Sequence, residues 1–201
     1  MPTLRVVQAV VWSDYLCPWC YVGQARTALL ERLGVSVVPL PYELHPELPA
    51  EGREVSDRAR LRYEHMARLA EEAGLPFRIP DRVPNTRDAH RALLWARATL
   101  PAQAVDALHR ALFDAMFVAG AFLGDPAVVD EHLACIGADP VAYRAAVADG
   151  ALDQAVTAAR EDAIDAGATG APAWLVDGRL LIAGVQDPAF FERMVARLAS
   201  R

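Results

Sequence analysis

Runs of apolar, β-branched residues near both ends of the chain enclose a long stretch with helical spacing. Residues 5–12 and 35–44 predict two strands, and the helix-compatible residues 18–33 lie between them. Two strands joined by a single helix imply a parallel pair. Pro39 and Pro41 predict that the second strand lies at an edge of its sheet, because proline cannot donate a hydrogen bond to a ladder.

From Ser56 onward the apolar positions follow a helical period for about a hundred residues. A loop with three prolines interrupts this block at residues 75–84. Asp followed by Pro is a strong start signal, because Asp caps a helix and Pro is tolerated at its first position. The predicted helices lie at 56–73, at 85–99, from Pro101 onward, after Asp125 and Pro126, after Asp139 and Pro140, and at 152–165.

The last segment returns to residues typical of strands. A glycine-rich loop at 167–172 leads into residues 173–176 and 179–183, which flank Asp177 and Gly178, a signal for a two-residue hairpin. A final helix is predicted after Asp187 and Pro188. The order β-α-β, helical block, β-β-α predicts an α/β protein with one sheet and an inserted helical domain. The predicted boundaries are 1–48 and 167–201 for the two parts of the sheet domain, and 49–166 for the insertion.

Composition narrows the classes of function. The 201 residues are 54% apolar, enough for one large core, and they carry a net charge of −6 without any lysine. The acidic balance argues against a nucleic-acid partner, and no apolar run approaches the length that spans a membrane. Residues 1–8 do not resemble a signal peptide. We therefore expect a cytoplasmic protein without a membrane or nucleic-acid partner.

The candidate chemistry lies where the first strand gives way to the first helix. Cys17, Pro18, Trp19 and Cys20 follow a polar break and fall in the first helical turn. A cysteine there lies among unpaired N–H groups and at the positive end of the helix dipole, which favour the nucleophilic thiolate over the thiol. Cys20 is close enough in sequence to close a disulfide with Cys17. The pattern predicts a reversible Cys17–Cys20 switch.

Two other interpretations of the cysteines stay open. Cys-x-x-Cys is also half of a zinc site, and Cys135 with His132, one helical turn before it, could supply the other half. The cysteines could also be merely structural. The Pro-Trp pair between Cys17 and Cys20 and the strand-to-helix context favour redox chemistry, because a closed zinc site calls for neither.

The C-P-W-C motif after the first strand, together with a Gly-x-Pro before the hairpin, resembles the thioredoxin fold. The helical insertion resembles the DsbA family, and four segments look like its FrnE-like, cytoplasmic branch: D-Y-L-C-P-W-C-Y-V-G at 14–23, P-Y-E-L-H-P at 41–46, N-T-R-D-A-H-R at 85–91, and the loop and hairpin at 167–186. A sister group contains glutathione-dependent isomerases, such as 2-hydroxychromene-2-carboxylate isomerase, and kappa-class transferases. Those proteins typically carry Ser at the position of Cys17 and lack the second cysteine, so the pair favours dithiol chemistry here.

The resemblance implies a role for each residue of the motif. Cys17 matches the exposed, attacking cysteine, and Cys20 matches the more buried resolving cysteine. Pro172 matches a cis-proline that faces the motif, and Ala171 before it would present its backbone to an extended peptide substrate. Pro18 and Trp19 belong to the expected substrate-binding surface, and we expect Tyr15 to join Trp19 in an apolar rim. The expected partners are thiol- or disulfide-containing proteins or peptides, with glutathione as a possible co-substrate and no further cofactor.

Other polar residues are weaker candidates. Asp14 and Glu43 could accept protons, but they are also typical capping or rim carboxylates. Asn85 and His90 lie in a segment that faces the active site in the glutathione-using relatives, although an N-cap and an ordinary helix histidine explain them too. Cys135 is expected to be a small buried apolar residue, with a second redox thiol as the alternative.

Overall fold

The computed structural model describes residues 7–72 and 74–199, and strands from both ends of this part share one sheet. The elements follow in the order β1 (Gln8–Ser13), α1 (Pro18–Arg32), β2 (Ser36–Pro41), β3 (Arg53–Glu54), α2 (Asp57–Glu72), β4 (Arg82–Val83), α3 (Arg87–Thr99), α4 (Ala102–Asp114), α5 (Pro126–Cys135), α6 (Pro140–Val147), α7 (Ala151–Asp165), β5 (Ala173–Val176), β6 (Leu180–Ala183) and α8 (Pro188–Ala199). This order confirms the predicted β-α-β, helical block, β-β-α arrangement.

The main sheet has the strand order β2-β1-β5-β6. β1 runs parallel to β2, as predicted, and antiparallel to β5, which forms a hairpin with β6. β2 is an edge strand, which also agrees with the prediction from Pro39 and Pro41. β1 is therefore a central strand, and its last residue, Ser13, leads directly into the loop before Cys17 and Cys20.

Helix starts follow the signals in the sequence. The side chains of Asp125, Asp139 and Asp187 each accept a hydrogen bond from the backbone N–H two residues later, at 2.9, 2.9 and 2.8 Å. Such a bond satisfies one of the N–H groups that a helix leaves unpaired at its start. The three helix starts predicted from Asp-Pro, at α5, α6 and α8, are therefore confirmed, and in each the Asp side chain caps the helix.

Several element boundaries differ from the prediction. β1 begins at Gln8; residues 5 and 6 of the predicted strand lie outside the described residues. β2 ends at Pro41 instead of Leu44, and three residues rather than two connect β5 to β6, with φ values of 55° at Asp177 and 64° at Gly178. The ladder of β3 with β4 was not predicted, nor was the π-helical turn (Ala115–Ala119) that continues α4.

Three groups of buried side chains hold the elements together. α1 and α8 cover one face of the sheet, where Trp174 and Phe191 are fully buried, and α7 packs against the other face. The largest group fills the helical block, and it also contains Cys17 and Cys20. The cysteine motif thus lies where the sheet meets the helices. No helix in the described part of the chain is long and apolar enough to span a membrane.

Candidate active site

Cys17 and Cys20 lie at the start of α1. Cys17 occupies the N-cap position, and its carbonyl accepts the N–H of Cys20 at 3.0 Å. Both cysteines are free thiols in this structure. Only 5% of Cys17 and 1% of Cys20 is exposed, so the expectation of an exposed attacking cysteine is wrong in degree, although Cys17 is the more accessible of the two. Trp19 is 43% exposed and forms the most accessible part of the motif.

The loop before β5 faces this turn. The sulfur of Cys17 donates to the carbonyl oxygen of Ala171 at 3.7 Å, and the peptide bond from Ala171 to Pro172 is cis. Gly23 lets α1 approach the loop closely, since a Cβ atom at Gly23 would lie 3.4 Å from Pro172 and 3.3 Å from Trp174. The fold therefore brings together the two motifs that lie farthest apart in the sequence.

Cys20 is enclosed by protein, and its sulfur accepts a hydrogen bond from a backbone N–H. The N–H of Asp14 donates to the Cys20 sulfur at 3.5 Å. Burial raises the pKa of the Cys20 thiol well above its ordinary value; its hydrogen bond to Cys17 and the charges of Cys17 and Asp14 add to that rise, whereas the Asp14 N–H opposes it. Cys20 is therefore a thiol at neutral pH.

The Asp14 carboxylate is fully buried and surrounded by donors. It accepts the N–H of Leu44 at 2.7 Å, the hydroxyl of Thr86 at 2.7 Å and the N–H of Leu16 at 3.3 Å, and Nε2 of His90 lies at 3.3 Å. Burial alone raises the pKa of Asp14, but the hydrogen bond and charge of His90, with the Leu44 and Thr86 donors, bring that pKa below its ordinary value. A carboxylate held in this way is a poor proton acceptor near neutral pH.

The other polar candidates have local partners. Glu43 is buried and pairs with Arg87 at 2.8 Å. The side chain of Asn85 donates to the Leu48 carbonyl and accepts the Arg87 N–H at 2.9 Å, so it serves the start of α3. His90 is buried and contacts Asp14 rather than a cysteine, and its Nδ1 has no hydrogen-bond partner among the described residues.

A second buried histidine, which sequence reasoning did not single out, lies behind the site. Nδ1 of His109 lies 3.0 Å from the hydroxyl of Tyr15, and its Nε2 lies 3.3 Å from the side-chain amide of Gln24. Tyr15 is therefore buried and does not join Trp19 in a rim, which corrects that expectation. The apolar stripe of α4 could have revealed His109, because this histidine is adjacent to Leu108 and four residues before Phe113.

We expect His109 to make the fold sensitive to mild acid. Burial lowers the pKa of His109 from 6.5 to about 3, and the charges of His90 and Arg110 contribute to that shift. Above pH 6.5 this residue is neutral whether the chain is folded or unfolded. As the pH falls from 6.5 towards 3, the unfolded chain gains a proton that the folded chain refuses, so the free energy of unfolding decreases by about 2 kcal/mol near pH 5.

Urea unfolding at pH 7 and pH 5 measures this effect. The His109→Gln variant keeps a polar side chain without the titration, so its loss of stability between the two pH values should be smaller by about 2 kcal/mol. Equal losses in the two proteins would contradict the assignment.

The structure does not bring Cys135 and His132 together with Cys17 and Cys20 as a zinc site. Cys135 is exposed at the end of α5, and within residues 7–72 and 74–199 no three His, Cys, Asp or Glu side chains come together as a possible metal site. The expectation that Cys135 is buried is also wrong. Cys135 is the last residue of a short helix whose buried positions are Val129 and Leu133.

Comparison with known proteins identifies the family to which the chain belongs. A family model of the DSBA-like thioredoxin domain matches residues 8–196. The chain therefore belongs to this family, which confirms both the thioredoxin fold with a helical insertion and the DsbA resemblance. Since the family is one of oxidoreductases, the chain is an enzyme of the oxidoreductase or isomerase type. A comparison with curated protein sequences finds no significant match.

Solved structures agree with this assignment. A probable DsbA oxidoreductase from Streptomyces coelicolor is 29% identical, with a TM-score of 0.82 over 95% of this chain and 89% of that one. The cytosolic disulfide reductase DsbM from Pseudomonas aeruginosa, solved with GSH, is 19% identical, with a TM-score of 0.74 over 96% and 100%. A 2-hydroxychromene-2-carboxylate isomerase is 21% identical, with a TM-score of 0.76 over 95% of each chain.

Proposed function

We propose that the protein is a thiol-disulfide oxidoreductase that cycles Cys17 and Cys20 between dithiol and disulfide. The observation that carries the proposal is the position of the Cys17 sulfur, at the N-terminus of α1 and 3.7 Å from the Ala171 carbonyl. Cys20 lies behind it and accepts the N–H of Asp14. A nucleophilic thiolate next to a peptide edge, with a second thiol within reach, is what disulfide exchange requires.

Each residue has a defined part in the reducing direction. The Cys17 thiolate attacks one sulfur of a substrate disulfide, and the other substrate sulfur leaves as a thiolate. Cys20 then loses its proton and attacks the Cys17 sulfur, which releases the second substrate thiolate and leaves a Cys17–Cys20 disulfide. The substrate has gained two electrons. In the oxidising direction the same steps run in reverse, and the protein disulfide is consumed.

The proposed substrate surface surrounds Cys17. Ala171 is half-buried, and its backbone would pair with an extended peptide as an added strand. Pro18 and the exposed indole of Trp19 would contact apolar substrate atoms from the other side of Cys17. Pro172 would hold the Ala171 backbone in place, since Pro172 packs within reach of Gly23 on α1.

Glutathione is the proposed co-substrate, and the cytoplasm is the proposed location. DsbM, which shares the fold, is a cytosolic disulfide reductase solved with GSH. In the cytoplasm glutathione keeps most thiols reduced, so two glutathione molecules would restore the dithiol form and leave as one disulfide. The proposal includes the FrnE-like branch, on the motifs at 14–23 and 85–91.

Trapping of a mixed disulfide tests the function. The Cys20→Ser variant should form a stable Cys17–glutathione adduct with glutathione disulfide, because the resolving thiol is gone. Intact mass and peptide mapping would identify the adduct on Cys17. The matched control is Cys135→Ser, which removes the exposed cysteine outside the site and should cycle like the unmodified protein.

The alternative is a glutathione-dependent isomerase. The structural likeness to 2-hydroxychromene-2-carboxylate isomerase supports this alternative. Such an enzyme needs one glutathione-binding site but no resolving thiol. It predicts that Cys20→Ser retains full activity and forms no Cys17 adduct. That pair of results would replace the oxidoreductase proposal with the isomerase.

A further inference from the structure

A groove lies at the end of the main sheet that is opposite the two cysteines. Its walls are the C-terminal end of α1, the turn between β5 and β6, and one side of α8. Cys17 caps the start of α1 and Leu33 caps its end, so the 15 residues of this helix place the groove about 20 Å from Cys17. The groove is therefore distinct from the candidate active site.

The groove has the size of a small-molecule site, and large apolar side chains are exposed along it. Its volume is about 910 Å³, within the range of roughly 300–1,000 Å³ that is usual for ligand pockets. Leu33, Leu180 and Phe190 line it and are 38%, 40% and 37% exposed. Exposed apolar side chains that lie singly are ordinary on a protein surface, but a contiguous group of them marks a binding site. Three separate elements thus offer one apolar surface to a ligand.

The charges along this groove are mainly positive. Its described lining contains three arginines and one acidic residue, Asp177. Asp177 and Arg197 each have an interaction partner. Arg179 and Arg193 are exposed, and neither forms an ion pair with a described residue. Phe190, Arg193 and Arg197 are spaced by three and four residues, so they share one side of α8. Charge complementarity therefore favours an anion that is joined to an apolar group.

We propose that this groove binds an anionic amphiphile, a carboxylate on an alkyl chain of medium length such as decanoate. The carboxylate would accept hydrogen bonds from Arg179 and Arg193, and the chain would cover Leu33, Leu180 and Phe190. A neutral apolar molecule would leave both guanidinium groups without a counter-charge, and a small inorganic anion would leave the apolar walls in water. The inference is independent of the proposed function, because no step of disulfide exchange uses these residues.

Calorimetric titration of the full chain with decanoate, below the concentration at which decanoate forms micelles, tests the proposal. We expect one molecule to bind per chain. Octanoate should bind about tenfold more weakly than decanoate, because it buries two methylene groups fewer. The alcohol 1-octanol should bind at least about tenfold more weakly than octanoate, because it lacks the charge that the arginines recognise. Added salt should weaken the binding of both carboxylates, because it screens exposed charges.

The Phe190→Glu variant should block the groove and leave the helix intact. Phe190 lies in the first turn of α8, where the helix dipole favours an acidic side chain. The new carboxylate removes an apolar wall and repels an anion, so decanoate affinity should fall at least about thirtyfold. The matched control is Val141→Glu, because Val141 is 77% exposed in the first turn of α6 and lies outside the groove. That variant should bind decanoate with the original affinity.

A second variant keeps the test decisive if Phe190→Glu does not fold by circular dichroism. Arg193→Gln should weaken decanoate binding about tenfold, whereas Arg68→Gln, on the exposed side of α2, should not change it. Unchanged affinity in folded Phe190→Glu or Arg193→Gln would overturn the proposal, as would an absence of decanoate binding to the full chain. Loss of binding in Trp19→Ala would overturn it by placing the ligand at the candidate active site. A dimer in analytical ultracentrifugation that Phe190→Glu dissociates would overturn it by showing that a second copy of the chain covers the groove.

Discussion

The Cys17→Ser variant is expected to lose disulfide-exchange activity by at least about 10³-fold while its fold stays intact. A serine hydroxyl at this position cannot form a disulfide, and it is far less ionised than a thiol at neutral pH. The thiol hydrogen-bonds weakly to the Ala171 carbonyl at 3.7 Å and interacts with Cys20, and serine has nearly the same size and can keep both contacts, so the substitution costs little stability. Glutathione-linked reduction of a model mixed disulfide measures the activity, and thermal unfolding measures the stability.

Comparison with Cys20→Ser sharpens this result. Both variants should lose turnover, but only Cys20→Ser should accumulate an adduct, because only that variant keeps the attacking sulfur. An adduct on Cys20 in the Cys17→Ser variant would reverse the assignment of the two cysteines. Activity above one tenth of the original in Cys17→Ser would place the chemistry elsewhere in the protein.

The elements of the fold were predictable where the signal is local. Asp125, Asp139 and Asp187 marked three helix starts because capping involves neighbouring residues only. The ladder between β3 and β4 left no such signal, since each strand is two residues long and pairs with a distant segment. The π-helical turn after α4 contains Phe117, which stacks on Phe77 from the loop before β4, a contact between residues far apart in the sequence.

In the candidate site, too, the features with a local sequence signal were predictable and those that arise from distant contacts were not. The motif of Cys17 and Cys20 is contiguous, and its position at a helix start follows from the strand-to-helix pattern. The burial of Cys17 and the donors around Asp14 arise where the loop after β1 meets the Ala171 loop, the segment after β2 and the start of α3. Those contacts depend on how the insertion packs, so no local pattern could reveal them.

Burial explains why the insertion and the redox motif depend on each other. Cys20 and Leu93 belong to one group of buried side chains, and Tyr63 of α2 donates its hydroxyl to the Leu16 carbonyl at 3.4 Å. The helices thereby set the polarity behind Cys20, whereas the sheet presents Cys17 to the Ala171 loop. The two cysteines of one helical turn thus have different surroundings, in keeping with the different roles proposed for them.

The Trp174→Ala variant is expected to lose about 3–5 kcal/mol of stability, the largest stability effect we predict. Trp174 is fully buried in β5; its Nε1 donates to the Thr27 hydroxyl at 3.2 Å, and its ring packs edge-on against Phe191 at 5.4 Å. Truncation leaves a cavity between the sheet and the two helices α1 and α8. The unfolding midpoint should fall by about 10 °C, as measured by calorimetry.

Trp19→Ala is the matched control, since it removes the same side chain from an exposed position and should change stability by less than about 0.5 kcal/mol. The two variants also separate stability from substrate contact. Trp174 packs beside Pro172 where α1 approaches the loop at Gly23. Folded Trp174→Ala should therefore also exchange disulfides more slowly, because the Ala171 loop is held less firmly. Trp19→Ala should instead weaken substrate binding without a change in the unfolding midpoint. A loss of stability below 1 kcal/mol in Trp174→Ala would mean that α1 and α8 are held to the sheet by other contacts.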